Sequence, residues 1–464
     1  MKKSIFTALM AVGMSLTGFG VEKPNVIYIL ADDLGYGEVG YNGQQMIQTP
    51  ELDAMAAGGM RFTNHYCGNS VCAPSRCSLV TGMHPGNAYI RANSPGYPRG
   101  QTPLPAGTET IGHLMQRAGY KTAIIGKWGL GSTWDSGNPN EQGFDYFFGY
   151  TDQRKAHNYY PEYLWRDSEK LMLNGSEYSH DLMTDEAVKF IEGNQDQPFF
   201  LYLAYCIPHT QYQVPDLAQY KDRDWPEKMK IHAAMTSRMD RDIGTIKRLL
   251  EELGLAKNTL IMFNSDNGVH GRQGSERFFN TSGELRGIKR SMYEGGVRSP
   301  MIAYWPKTVP AGTVSDHLSA FWDLMPTLSE LTGEPINGKT DGISMLPTLV
   351  GNADQQGKHE YLYWELYEGK PNQAVRYGKW KGVVVDRRKG MKIELYDVTR
   401  DAGEQADVAS EYPEVVDRIR KLMISSHVPS PFWDKDNKPL FNAKAACEAT
   451  SVTYVPPDSE KKKE

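Results

Sequence analysis

The chain has 464 residues, of which 40% are hydrophobic and 23% charged, and its formal net charge is −5. That length exceeds one small domain and can bury a large core, and the composition is that of a folded protein rather than a disordered one. The small negative excess excludes a general attraction for nucleic acid or anionic membranes, so an anionic substrate has to be held by a local cluster of cations.

In chain order, Met1-Lys2-Lys3 precedes an apolar stretch from Ile5 to about Leu16 and then the small residues Thr17-Gly18-Phe19-Gly20. A basic start, a short apolar run and small residues predict an export signal over 1–20, too short to span a bilayer comfortably. No cysteine comes after it to carry a lipid, and no later run is long and apolar enough for a transmembrane helix. The expected location is periplasmic or secreted, with no stable membrane insertion after cleavage.

Apolar runs at 26–30, 122–125, 199–203 and 260–263 predict buried strands alternating with amphipathic segments. Ile111, Leu114, Met115 and Ala118 recur at helical spacing and Gly119 supplies a stop. Met235, Met239, Ile243, Ile246, Leu250 and Leu253 do the same across 232–253, ended by Gly254. From about Gly333 the texture changes. Segments 361–366, 374–385 and 392–398 read as antiparallel strands, Val415 to Met423 as a final helix, and 458–464 as a charged tail. The predicted fold class is α/β, a large mixed, mostly parallel sheet sandwiched by helices, with a smaller C-terminal α+β subdomain on an antiparallel sheet. The expected division is 21–335 for the catalytic domain and 336–464 for the subdomain.

Polar residues cluster just past the strands. Asp32 and Asp33 come after the first, Lys127 after the second, His209 after the third, and Asp266 and Asn267 after the fourth. In open α/β sheets the ligand crevice lies outside the carboxyl ends of the strands, so these groups should converge. Carboxylate and amide oxygens are hard ligands that suit Ca²⁺ or Mg²⁺. Three carboxylates without a cation would repel one another and raise their own pKa values. Any one of them alone reads more simply as a helix cap or turn residue.

Cys72-Ala73-Pro74-Ser75-Arg76, with Leu79-Val80-Thr81-Gly82 after it, is the most specific motif. Pro74 predicts that a helix begins there, which places Cys72 at a helix N-terminus, where free N–H groups favour an anion. Five cysteines (Cys67, Cys72, Cys77, Cys206 and Cys447) make an odd count, and removing Cys72 leaves four that are either paired or reduced.

The motif resembles the C-x-P-S-R…T-G signature of the type I sulfatases. Gly126-Lys127-Trp128, Ile207-Pro208-His209-Thr210, Leu285-Arg286-Gly287-Ile288-Lys289 and Tyr293-Glu294-Gly295-Gly296-Val297-Arg298 extend the match. The resemblance implies an alkaline-phosphatase-like fold and conversion of Cys72 to formylglycine (3-oxoalanine) by a maturation enzyme. It also implies Ca²⁺, with Mg²⁺ possible, held by Asp32, Asp33, Asp266, Asn267 and the modified Cys72. Arg76 would hold the hydrated aldehyde, Lys127 and Lys289 the sulfate oxygens, and His209 the sulfate near the leaving oxygen. One position departs: after Gly-Lys-Trp most members carry a histidine that deprotonates the formylglycine hydroxyl, and here stands Gly129. His157 is the first candidate to replace it. His84 is the second, although a straight helix would put it about 18 Å from Cys72. A substrate-contacting or structural role is open for each.

The implied reaction is two-step hydrolysis of a sulfate monoester. The segment 152–165 mixes hydroxyl donors with stacking faces, and Gln153, His157, Arg91, Trp364 and Glu365 are the candidate substrate contacts, with Trp322 possible from the C-terminal side. The chain looks like bacterial carbohydrate sulfatases, which points to exo-desulfation of a sulfated glycan carrying galactose or N-acetylgalactosamine sulfate. The alternatives are a phosphate or phosphonate monoester hydrolase of the same fold, disfavoured because no second metal-ligand set is visible, and a catalytically dead glycan-binding relative.

Overall fold

The computed structural model describes residues 23–93 and 102–430. The expected export signal over 1–20, the charged tail over 458–464 and Cys447 lie outside the described residues. Strand Asn25–Ala31 is buried along its whole length, as are Phe199–Ala204 and Thr259–Ser265. A strand covered on both faces has no polar side to show, so these segments read as unbroken apolar runs. Asn25–Ala31 pairs in parallel with both of the others, and Phe199–Ala204 pairs in parallel with Lys121–Lys127.

These four form the centre of a ten-stranded sheet. Its order is Thr313–Ser315, Met60–Phe62, Met301–Tyr304, Thr259–Ser265, Asn25–Ala31, Phe199–Ala204, Lys121–Lys127, Tyr146–Tyr150, Tyr163–Arg166, Glu169–Met172. Met301–Tyr304 and the last two strands run antiparallel to their neighbours, so the sheet is mixed and mostly parallel.

Successive residues of a strand point to opposite faces. Val26, Tyr28 and Leu30 join a core with Ile111, Leu114, Met115, Leu79 and Val80. Ile27 and Ile29 join a second core with Met235, Met239, Ile243, Ile246 and Leu250. Those five share one face of helix Glu227–Glu252. The helix starts at Glu227 rather than near His232, with Pro226 as N-cap and an acidic residue in the first turn that complements the helix dipole. Thr110 caps helix Ile111–Arg117 by accepting a hydrogen bond from the His113 N–H at 3.2 Å.

The C-terminal part builds a separate four-stranded antiparallel sheet of Tyr361–Leu366, Asn372–Tyr377, Trp380–Val384 and Glu394–Asp397. The single strand expected over 374–385 is in fact two: Gly378 takes a φ of +53° and turns the chain into a tight hairpin. Ile419, Leu422 and Met423 of helix Pro413–Ser425 close one face over Tyr363, Val375 and Leu395. Leu362, Trp364 and Leu366 enter the main core from the other face. A buried ion pair, Lys381 Nζ to Glu294 Oε1 at 2.7 Å, joins the two parts. Among the described residues no helix is long and apolar enough to cross a membrane.

Candidate active site

Asp32 and Asp33 come directly after the strand Asn25–Ala31, Lys127 closes Lys121–Lys127, and Asp266 and Asn267 come directly after Thr259–Ser265. From the end of Phe199–Ala204 the chain runs on to His209. Tyr159 steadies that segment by sharing its hydroxyl proton between the Cys206 and His209 carbonyls, at 2.8 and 2.7 Å. Cys72 is the first residue of helix Cys72–Thr81, so Pro74 sits inside the first turn instead of marking its start. Proline fits there because first-turn N–H groups have no helical partner. The Ala73 N–H is met from elsewhere, by Asn93 Oδ1 at 2.8 Å.

The strand ends and the helix start meet at Cys72. Its Sγ lies 3.5 Å from Asp32 Oδ1, 4.0 Å from Asp33 Oδ1 and 3.1 Å from Lys289 Nζ. Lys127 Nζ donates to Asp32 Oδ2 at 2.6 Å, and Lys289 Nζ to Asp33 Oδ1 at 2.6 Å. Arg76 grips Asp266 Oδ2 through Nε and Nη2, at 3.0 and 2.8 Å, and donates through Nη1 to the Lys127 carbonyl at 2.7 Å. Three carboxylates thus face three cations, all buried.

Burial and pairing oppose each other in this cluster. Burial pushes Asp32 up, but the Lys127, Arg76 and Lys289 charges outweigh it and hold the carboxyl well below its usual range. Burial and the neighbouring Asp32 carry Asp266 up to about 6 in spite of Arg76. Burial pushes the Cys72 thiol up to about 12 against the pull of Lys127 and Lys289. The encoded thiol is therefore protonated near neutrality and a poor nucleophile. Burial, then the Lys289 charge, keep His209 neutral, well below the ordinary imidazole value.

The oxygen donors among these residues fit a hard cation. Asp32, Asp33, Cys72 and His209 present ligand atoms within 4.8 Å of one another. His209 Nε2 lies 3.1 Å from Asp33 Oδ2 without the alignment of a hydrogen bond, and among the described residues neither that oxygen nor Asn267 Oδ1 has a hydrogen-bond partner. Buried oxygens without donors are what a divalent ion satisfies. Asp266 stands apart from the tightest group because Arg76 takes one of its oxygens and the Asp33 N–H the other, at 3.1 Å.

Of the residues singled out in the sequence, Asp32, Asp33, Cys72, Arg76, Lys127, His209, Asp266, Asn267 and Lys289 come together. Arg91, Trp364 and Glu365 do not line an open surface, which corrects their expected role as substrate contacts. Arg91 Nη1 pairs with Glu365 Oε1 at 2.6 Å, and Glu365 also holds His427 at 2.8 Å and Tyr363 at 2.7 Å. The Trp364 indole, wholly buried, donates to the Cys67 carbonyl at 3.0 Å. Trp322 is likewise core. These side chains brace the small sheet against the loop before Cys72, where Asn69 Nδ2 reaches the Glu365 carbonyl at 2.8 Å.

His84 is corrected as well: its N–H donates to Asp341 at 2.9 Å and its ring packs edge-on against Tyr363, so it shapes a turn. His157, by contrast, stacks on His209 with ring centroids 3.8 Å apart and planes 15° from parallel. Sequence reasoning missed His270, whose ring is 5.7 Å from that of His209; its place three residues after Asn267 was the available signal. Cys67, Cys72, Cys77 and Cys206 are all unpaired thiols.

The family model for sulfatases matches residues 24–334, and a model described as N-sulphoglucosamine sulphohydrolase, C-terminal, matches 286–428. Human arylsulfatase A is 32% identical, over 91% of this chain and 90% of the relative. Human N-acetylgalactosamine-6-sulfatase is 30% identical, over 97% of this chain and 95% of the relative. The crystal structure of Ps i-CgsB in complex with k-i-k-neocarrahexaose superposes with a TM-score of 0.80 at 29% identity, covering 96% of this chain and all of that one. With the cysteine-headed helix and its ring of carboxylates and cations inside the matched span, the chain belongs to the sulfatase family and is a sulfuric ester hydrolase.

Proposed function

We propose that the protein desulfates a glycan, with galactose or N-acetylgalactosamine sulfate favoured, through a formylglycine made from Cys72 and with one Ca²⁺. The carrying observation is Cys72 itself, set at a helix N-terminus beside Lys289 and the strand-end carboxylates, with a thiol too hard to ionise to act as encoded. The sugar class is supported by relatives and neighbours of comparable length, among them N-acetylgalactosamine-6-sulfatase and a structure holding a neocarrahexaose.

Formylglycine supplies a hydrated aldehyde with two hydroxyls, one to displace the alcohol from sulfur and one to release sulfate. Asp32, Asp33, Asp266 and Asn267 would hold calcium, which would supply positive charge where sulfate oxygens gain negative charge. Each lysine ammonium has three donors. Lys127 commits one to Asp32, Lys289 commits one to Asp33 and a second to Cys72 Sγ, and the rest can hold sulfate oxygens. Arg76 fixes Asp266 and the Lys127 backbone, keeping helix and strand ends in one geometry. The Thr210 carbonyl accepts a hydrogen bond from His209 Nδ1–H, so Nε2 of the neutral ring faces the site with its lone pair, placed to pick up a proton there.

The segment 1–20 serves as the export signal, so the site works in the periplasm or outside the cell, and a maturation enzyme is the required partner. Mass analysis of the Cys72 peptide alongside sulfate release tests the reading. The expected outcome is an aldehyde mass at position 72 and turnover that vanishes in Cys72→Ala; full activity in that variant would remove the mechanism.

A further inference from the structure

At the cationic pole of the site, Arg76, Lys127 and Lys289 are all paired. The segment that brings His157 to the site behaves differently. Gln153 is only 5% exposed, yet among the described residues neither its Nε2 nor its Oε1 has a hydrogen-bond partner, and His157 Nε2 lacks one too. Buried polar atoms are ordinarily hydrogen-bonded, and three without a partner on one short segment beside the site leave donors and acceptors for an occupant.

Two contacts fix where these atoms stand. The His157 ring lies flat on that of His209, so its edge is oriented by the reaction centre. Gln153 lies over Gly129, two residues past Lys127: a Cβ on Gly129 would fall 1.9 Å from Gln153 Nε2. Gly129 also holds a φ of +78°, a conformation that side chains disfavour. The amide therefore fills the space that a side chain at 129 would occupy.

The Gln153 amide carries no charge, and the free edge of the His157 ring offers a single nitrogen. Sulfate oxygens are better served by the lysines. An amide and an imidazole nitrogen match hydroxyl groups, which both donate and accept. We infer that Gln153 and His157 form the subsite for hydroxyls of the sugar unit that bears the sulfate, and that Gly129 stays bare so that Gln153 can reach it. The inference rests on the sulfate-ester reading above. A site built to hydrogen-bond a hydroxyl rejects an analogue lacking it far more strongly than an apolar pocket rejects a missing methylene.

The test compares turnover of 4-nitrophenyl sulfate, whose leaving group has no sugar hydroxyls, with that of the most readily accepted member of a panel of galactose and N-acetylgalactosamine sulfates. For Gln153→Leu, and for His157→Phe, which keeps the ring stack, kcat/KM on the sugar should fall about tenfold or more beyond any fall on the aryl ester. Gly129→Ala should reproduce the Gln153→Leu selectivity, and combining the two should change it by less than about threefold, as for residues acting through one contact. The ratio between substrates is internal to each preparation, so partial misfolding of a variant does not mimic the effect. Equal losses on both esters, or an unchanged ratio, overturn the inference and leave sulfate-ester hydrolysis standing. A wild-type protein with Cys72 converted that cleaves neither ester removes both.

Discussion

Arg76 makes three hydrogen bonds to two chain segments, and all three need its planar fork. Removing a fully buried partner leaves Asp266 Oδ2 and the Lys127 carbonyl unpaired, so Arg76→Ala should lower stability by on the order of 3–5 kcal/mol, read as a lower midpoint in urea. Arg76→Lys restores the charge without the fork; it should regain more stability than turnover, and equal recovery of both would contradict the positioning role. At this scale the sequence was legible wherever a residue's chemistry is nearly unique to its setting, as for Cys72, Asp32, Asp33 and Lys127. It was illegible where the partner decides. Arg91 looked like a sugar contact because nothing local announces a carboxylate 274 positions away.

The helix Cys72–Thr81 depends on a cap that its own sequence does not supply, since Val71 at the N-cap offers no side-chain acceptor. Asn93 provides the acceptor from a distance, and Asn93→Ala should cost about 1 kcal/mol in denaturant unfolding, as loss of a cap does elsewhere. Turnover should fall along with it as the first turn frays around Cys72, and a variant with wild-type kinetics would show that the turn holds without the cap. Buried strands were readable as elements because being covered on both faces removes polar residues from the run. That is why strand ends, and with them most of the site, could be placed from apolar patches alone. The hairpin at Gly378 escaped because valine and aromatic alternation continues straight across it. The meeting of Gln153 with Gly129 escaped because it depends on how two loops lie against each other, which no local pattern encodes.

For the molecule as a whole, the junction between the two sheets carries a titrating group. Glu404 is buried, and its Oε2 accepts the Glu294 N–H at 2.7 Å close to the Lys381 pair. Burial, and then Glu294, push its pKa up to about 8 against Lys381. The ordinary value is about 4.5, so between there and about 8 the folded protein keeps a proton that the unfolded chain has released. Its contribution to stability is present at low pH, declines across that window and levels off above it. Thermal midpoints from pH 5 to 9 should fall less steeply in Glu404→Gln than in the wild type, and parallel curves would assign the pH dependence elsewhere. A bound ion should act on the entire fold as well: calcium at a hundred times its Kd adds about 2.7 kcal/mol, to be undone by a chelator. The near-complete enclosure of Cys72, 1% exposed at the head of its helix, also sets a chronology. An enzyme that is to alter that side chain has to surround it, and the closed protein leaves no room. Under the conversion proposed for Cys72, that side chain has to be altered before its helix is enclosed, so a molecule that closes over a bare thiol would keep it until it is unfolded again.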